Sequence, residues 1–417
     1  MPVAVRATLV ENVPLMPTFE KHPSRRVAVT AIGIVSPLGL GADENTASLR
    51  AGRDCVSPVT AFDVSKTRSK AAGQVEGFQN SNRKTQSDEA LHPASRMMIA
   101  AARELAASDP AFVPESLVIG TTSGGMSFGQ QFFRAQIEKR RAQKHGFWLA
   151  NYMPQKAVLD AANDRRWSAP HQIIANACAS GTNAIGHAFR LVRAGKYERV
   201  LCGGYDALSE MVFVGFDSLQ ASTAEKIRPF DKSRTGLVLG EGAALLALEE
   251  MESARERGAP ILAEITGYGI STDNHHLTQP HPSGIGPRQA MERALTDAHC
   301  PPEKVDYINA HGTATAFNDA TEGLAISQVF GSRVPVSSTK SMMGHSLGAA
   351  GAIEAVFSII AMRGGFLPPN INYSEADPAW SLDIVANTAR ETRIRRVVSN
   401  SFGFGGTNAS IVLEASL

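Results

Sequence analysis

The sequence is short of charge imbalance, of cysteine and of long apolar runs, and each shortage narrows what the protein can be. With 41 Lys and Arg against 40 Asp and Glu, the formal net charge over 417 residues is +1. No global field therefore attracts nucleic acid or an anionic membrane, and any basic docking surface must be local. The cysteines Cys55, Cys178, Cys202 and Cys300 stand far apart, without a CxxC pair or a Cys/His spacing of the zinc-finger kind. That pattern excludes a disulfide scaffold and fits a reducing compartment. No apolar run approaches the roughly 18 to 20 residues of a membrane span, and no basic-then-apolar signal pattern opens the chain, so a cytoplasmic location is expected. No glycine loop sits in the strand-to-helix context of a nucleotide fingerprint, so no cofactor is expected. His275, His276 and His281 share a Pro-flanked loop without carboxylates at ligand spacing, and no metal is expected.

What is present is a hydrophobic content of 43%, ample for a large core. Residues 1–26 hold apolar residues without a clear period and read as an extension. Short apolar runs then punctuated by Gly, Ser and Thr predict strands at 27–30, 117–120, 173–175, 200–204, 243–248 and 261–271. A repeat emerges in their order. Residues 261–271 echo 27–36, 348–363 echo 181–193, and 406–414 echo 240–249, which predicts an α/β protein of two halves on one plan, 27–260 and 261–417. A site between the halves is expected.

The run Asn176-Ala177-Cys178-Ala179-Ser180-Gly181 links an apolar strand to an amphipathic run carrying Ile185, Ala188, Phe189 and Val192. A strand, tight turn and helix is predicted, with Cys178 at the helix start. Free backbone N–H groups and the helix dipole there favour a thiolate, so Cys178 is expected to be a nucleophile near neutral pH. Cys202 lies inside an apolar strand and reads as packing. Three segments of the second half carry matching chemistry. His311 enters a small-residue loop after Ile308, Lys340 and His345 stand just before a helix, and 400–408 form a glycine-rich turn with exposed aromatics.

Together, Asn176 to Gly181, His311-Gly312-Thr313-Ala314-Thr315, the Lys340 to His345 segment with Leu347-Gly348-Ala349-Ala350-Gly351, and Asn400 to Asn408 resemble the elongating β-ketoacyl-[acyl-carrier-protein] synthases. Arg228-Pro229-Phe230-Asp231 and Gly240-Glu241-Gly242 fall where that family has similar runs. The resemblance implies the thiolase-like αβαβα layered fold, usually as a homodimer, and a decarboxylating condensation that extends an acyl chain in fatty acid, polyketide or polyene synthesis. Its partners would be acyl-loaded and malonyl-loaded acyl carrier protein, which bring their own phosphopantetheine. Cys178 would carry the acyl group, and the N–H groups of Cys178 and Phe404 would form the oxyanion hole. His311 and His345 would stabilise the enolate or activate a water, with their division of labour left open. Lys340 would orient His345 and pair with Glu322, Phe402 and Gly403 would support the site, and Phe404 would act as a gate. Thr313 and Thr315 would bind the phosphopantetheine arm.

An acyl pocket is expected from Ser123, Tyr152, Met153 and Leu237, and carrier docking from Lys66, Arg68 and Lys70 with Lys139, Arg140, Arg141 and Lys144. Departures from the family pattern are Ala316 for a usual proline, Thr235 and Leu237 in a usual Arg-Asp-Gly-Phe run, and Gln220 where a docking arginine is common. The small Ser123 suggests room for an unusual or longer chain. Rival readings fare worse. Gly344-His345-Ser346-Leu347-Gly348 fits GxSxG, but that order demands a later histidine, which the chain lacks. A thiolase would need a second cysteine near the C-terminus. A non-catalytic chain-length subunit of a heterodimer would lack the nucleophile that is present here.

Overall fold

The computed structural model describes residues 25–78, 91–139 and 145–416. The first half contributes β1 (Val27–Ser36), β2 (Ser116–Gly120), β3 (His171–Ile174), β4 (Arg199–Asp206) and β5 (Gly242–Glu250). The second contributes β6 (Ala263–Thr272), β7 (Tyr307–Asn309), β8 (Pro335–Ser337), β9 (Asp383–Ile384), β10 (Arg396–Gly403) and β11 (Thr407–Glu414). Reading outward from the middle, the hydrogen-bonded order is β1-β5-β4-β2-β3 on one side and β6-β11-β10-β7-β8 on the other, with β9 beyond β8. Each arm has two antiparallel pairings and then two parallel ones. The arms meet where β1 pairs antiparallel with β6, Val27 opposite Ile265 and Val29 opposite Ala263.

Helices complete five layers. Helix α1 (Pro93–Ser108), with α2 (Gln155–Arg165) against it, covers the outer face of the first arm, and α4 (Ile285–Asp297), backed by α5 (Ala316–Phe330), covers that of the second. Between the arms lie α3 (Ser180–Arg193) and α6 (Ala350–Gly364), which touch each other and strands of both halves. The sequence dictates these positions. Every residue of β1 is buried, as a strand covered on both faces requires. Helix α6 is buried from Ala350 to Met362 and carries Ala, Gly, Ile, Val and Phe on all sides.

One expectation needs correcting. The continuous stretch Leu347–Gly364 spans 18 residues at a mean hydropathy of 1.4, long and apolar enough to cross a membrane, yet 89% of it is buried inside the protein. It is the central core helix, apolar all round because protein rather than lipid surrounds it.

Close approach of backbone fixes Gly33 in β1, where a Cβ would sit 1.9 Å from the Ala101 carbonyl oxygen of α1. Gly215, inside the helix Glu210–Ser218, has nothing within 4 Å of that position. Gly33→Ala is expected to destabilise the protein by about 1–3 kcal/mol, whereas Gly215→Ala should leave stability unchanged or raise it by up to about 1 kcal/mol. Midpoints of chemical unfolding for the two variants check both signs.

Candidate active site

Strand β3 ends at Ile174, and the chain turns through a single 3-10 turn, Ala177–Ala179, before α3 begins at Ser180. Cys178 thus lies two residues ahead of the α-helix rather than at its first residue. Ala177 has a φ of 56°, a left-handed conformation that costs a non-glycine residue about 1–2 kcal/mol. The Ser180 hydroxyl holds the turn, accepting from the Asn176 N–H at 3.0 Å and donating to the Ala177 carbonyl at 2.5 Å. The second half repeats the device: Leu347 has a φ of 55° and opens the 3-10 turn Leu347–Ala349 that leads into α6. Asp206, buried at the end of β4, ties the second of these turns to the 121–123 loop, whose Thr122 hydroxyl in turn donates to the Ala177 carbonyl at 3.2 Å. It accepts from the Gly348 N–H at 2.7 Å and from the N–H and hydroxyl of Ser123 at 2.8 and 2.7 Å.

Strand β10 and its hairpin turn close the site from the opposite half. A Cβ on Gly403 would fall 3.1 Å from the Cys178 nitrogen, so this strand end seats directly on the nucleophile turn. Gly405 and Gly406 follow with φ of 84° and 77°, a pair of left-handed residues that reverses the chain tightly after Phe404. The backbone N–H groups of Phe404 and Cys178 come near enough to the Cys178 thiol to favour its ionised form, as groups of an oxyanion hole would.

Strand β7 delivers His311, and the short helix Lys340–Met343 precedes His345. Their rings meet edge to face with centroids 5.3 Å apart, and the His311 ring lies 5.9 Å from that of Phe402. Phe402 is buried, not exposed as the glycine-rich context suggested. Atoms of Cys178, His311 and His345 capable of binding a metal lie within 4.8 Å of one another. Both ring nitrogens of His345 and Nδ1 of His311 are buried without a hydrogen-bond partner. Burial, reinforced by the Lys340 ammonium, holds both imidazoles well below their ordinary pKa and so neutral. Burial also pushes the Cys178 thiol up to about 12, against the opposing pull of Lys340 and the two N–H groups. The thiol form therefore prevails in the closed site, a reversal of the thiolate expected from a helix start alone.

The expected Lys340–Glu322 pair does not form. Lys340 Nζ donates to Glu354 Oε1 in an ion pair whose side chains are both fully buried. Glu322 instead accepts from the N–H groups of His311 and Gly312, each at 2.8 Å, and so braces the histidine loop. Burial raises both carboxyls to about 7, opposed by those hydrogen bonds at Glu322 and by Lys340 at Glu354. Sequence reading missed Glu354, although a lone acid in the middle of the apolar run 350–362 was its signal. Asp206 left a similar one, a lone acid ending an apolar strand.

A cavity opens onto Cys178, His311 and His345 and is lined by Thr313, Thr315 and Leu237 among others. The two threonine hydroxyls lie 2.9 Å apart. Ser123, Tyr152 and Met153 do not line it: the Ser123 hydroxyl is turned to Asp206, Tyr152 packs on Gly129, and Met153 is 45% exposed. Phe404 stacks on Phe216 at 5.4 Å and 17°, a partner that sequence did not suggest. Of the expected docking cations, Lys66, Arg68, Lys70 and Lys139 are all exposed; Arg68 also contacts Asp217 and the Ser222 carbonyl, and Lys70 the carbonyls of Val64 and Ser65. Arg140, Arg141 and Lys144 lie outside the described residues.

Comparison with known proteins fits this geometry. Residues 24–254 match the β-ketoacyl synthase N-terminal domain, and residues 262–374 match the β-ketoacyl synthase C-terminal domain. The chain is 38% identical over 409 residues to 3-oxoacyl-[acyl-carrier-protein] synthase 2 of Coxiella burnetii, covering 94% of this chain and 98% of that one. Among solved structures it is similar to the ishigamide ketosynthase/chain length factor, with a TM-score of 0.87, 34% identity, and coverage of 94% of this chain and 100% of the other. It is also similar to a type II PKS ketosynthase complexed with its acyl-carrier protein and bound to the hexaketide, with a TM-score of 0.84, 29% identity, and coverage of 94% and 100%.

With its thiol held up near 12 by burial, Cys178 is expected to react with iodoacetamide at a rate that climbs steadily from pH 7 through pH 9, because the reactive thiolate fraction grows about tenfold per pH unit below the pKa. Mass-resolved alkylation of Cys178 against pH checks this.

Proposed function

The chain belongs to the β-ketoacyl synthase family, and from that premise we propose how its own residues carry the reaction. The activity is that of a 3-oxoacyl-[acyl-carrier-protein] synthase, an acyltransferase that forms a carbon–carbon bond with loss of carbon dioxide. The observation that carries the residue assignment is the dry convergence of one thiol, two neutral imidazoles and two N–H groups at the foot of one channel.

Cys178 Sγ attacks the thioester carbonyl of the acyl carrier protein's load, and the N–H groups of Cys178 and Phe404 hold the oxyanion that forms. The thiol proton leaves to an imidazole within reach, and the acyl group passes to Cys178 as the carrier thiol departs. A malonyl-loaded carrier then occupies the channel, with Thr313 and Thr315 offering hydroxyls to its phosphopantetheine arm. Loss of carbon dioxide leaves an enolate, and neutral imidazoles can donate hydrogen bonds to its oxygen without first releasing a proton. The enolate carbon attacks the Cys178 thioester, yielding a chain two carbons longer on the carrier and freeing Cys178.

The Lys340–Glu354 pair acts behind the histidines, its ammonium adding to burial in keeping them neutral. Leu237 is the acyl-chain contact that the cavity supports, and Phe404 with Phe216 forms the gate. No metal or redox cofactor enters these steps. The protein works in the cytoplasm as a homodimer, for which the free outer edge of β3 offers a pairing surface. Pairing instead with a chain-length subunit is the second arrangement, favoured by the ketosynthase/chain length factor to which the chain is similar.

Supplied with acyl-loaded and malonyl-loaded carrier protein, the wild type is expected to release carbon dioxide and extend the chain by two carbons. His311→Ala and His345→Ala should each cut condensation by at least about 100-fold, and at least one should still form the Cys178 thioester. Wild-type protein that forms the thioester but never condenses would contradict the assignment.

A further inference from the structure

Among the described residues, Cys178, His311 and His345 bring three potential metal ligands within 4.8 Å of one another. They are only 6%, 2% and 1% exposed, and the site still opens onto a channel. Three of the four imidazole nitrogens are buried without a hydrogen-bond partner, so each ring has a nitrogen uncommitted to any other group. We propose that this triad is an inhibitory site for a soft divalent cation, zinc above all, bound by the Cys178 thiolate and one nitrogen from each of His311 and His345.

The donor set suits the metal. One sulfur and two imidazoles, with an open fourth position, match the ligand types and coordination of zinc, at about 2.3 Å to sulfur and about 2.0–2.1 Å to nitrogen. Ligands so bonded stand about 3.3–3.6 Å apart, so binding draws the three side chains together from a spacing of up to 4.8 Å. Binding at the sulfur displaces the thiol proton: the S–H bond breaks, the S–Zn bond forms, and the proton passes to water. The Lys340 ammonium opposes a dication, but the Glu354 carboxylate offsets it. A water or the thiol of an incoming phosphopantetheine takes the fourth position. Metal binding stands on the geometry alone; only its inhibitory consequence rests on Cys178 being the acyl acceptor.

The test titrates metal-stripped, full-length protein with Zn²⁺ against a chromophoric chelator, and with Cd²⁺ while thiolate-to-metal absorption is followed in the ultraviolet. One equivalent should bind with a thiolate band that Cys178→Ala lacks, and His311→Ala and His345→Ala should each weaken binding by about tenfold or more. In the unmutated protein, bound Zn²⁺ should shield Cys178 from iodoacetamide and a chelator should restore the reaction, which keeps the test independent of any variant's folding. No binding, or binding that persists unchanged in Cys178→Ala and so belongs to the His275–His281 ring pair, would overturn the proposal. Metal binding as expected in a protein that accepts no acyl group would support the site and refute the catalytic reading instead.

Discussion

Desolvation governs this protein. Taking Cys178, His311, His345, Lys340 and Glu354 out of water makes each charge on them expensive, and the site is built from the ways that cost is contained. The imidazoles stay neutral, the thiol keeps its proton, and the one ammonium is matched to one carboxylate. Removing Glu354 would strand Lys340, and removing Lys340 would strand Glu354, so the pair is held by the penalty of breaking it more than by its own attraction. The same dryness strengthens every hydrogen bond a reacting oxyanion or enolate could receive.

The repeated architecture places these groups. Two arms of identical strand pairing sandwich α3 and α6, and each of those helices is introduced by a 3-10 turn whose first residue is left-handed. One turn presents Cys178. The equivalent turn in the other half follows His345 and is tied by Asp206 to the 121–123 loop, whose Thr122 hydroxyl holds the Ala177 carbonyl of the first. The reacting groups therefore stand on opposite halves of a fold whose centre is its most completely buried part, and the channel reaches them from the side where β10 leads into the Gly405-Gly406 turn.

Much of this was legible in the sequence because it was local. The strand runs, the echo of 27–36 in 261–271, the Cys178 turn and the small-residue loops around His311 and His345 all announce themselves within a few residues, and the structure places the cysteine and both histidines together. What the sequence concealed depends on distance across the fold. Lys340 could have met either Glu322 or Glu354, and only the fold, which sets Glu354 of α6 beside it, chooses the second. The thiol's protonation followed from burial, which opposes the helix-start argument and outweighs it. The Ser123 hydroxyl is bound by Asp206, more than 80 positions away in the chain, a partner that no local pattern announces. The local contacts of Arg68 and Lys70, both exposed, were likewise invisible to the charge pattern.

The central claim is that Cys178 accepts an acyl group. Intact-protein mass spectrometry after incubation with acyl-loaded carrier protein, wild type beside Cys178→Ala, tests it most directly. The account predicts a single acyl-sized mass gain in the wild type and none in the variant. A gain that survives in Cys178→Ala, or no gain in the wild type across a range of chain lengths, would contradict it.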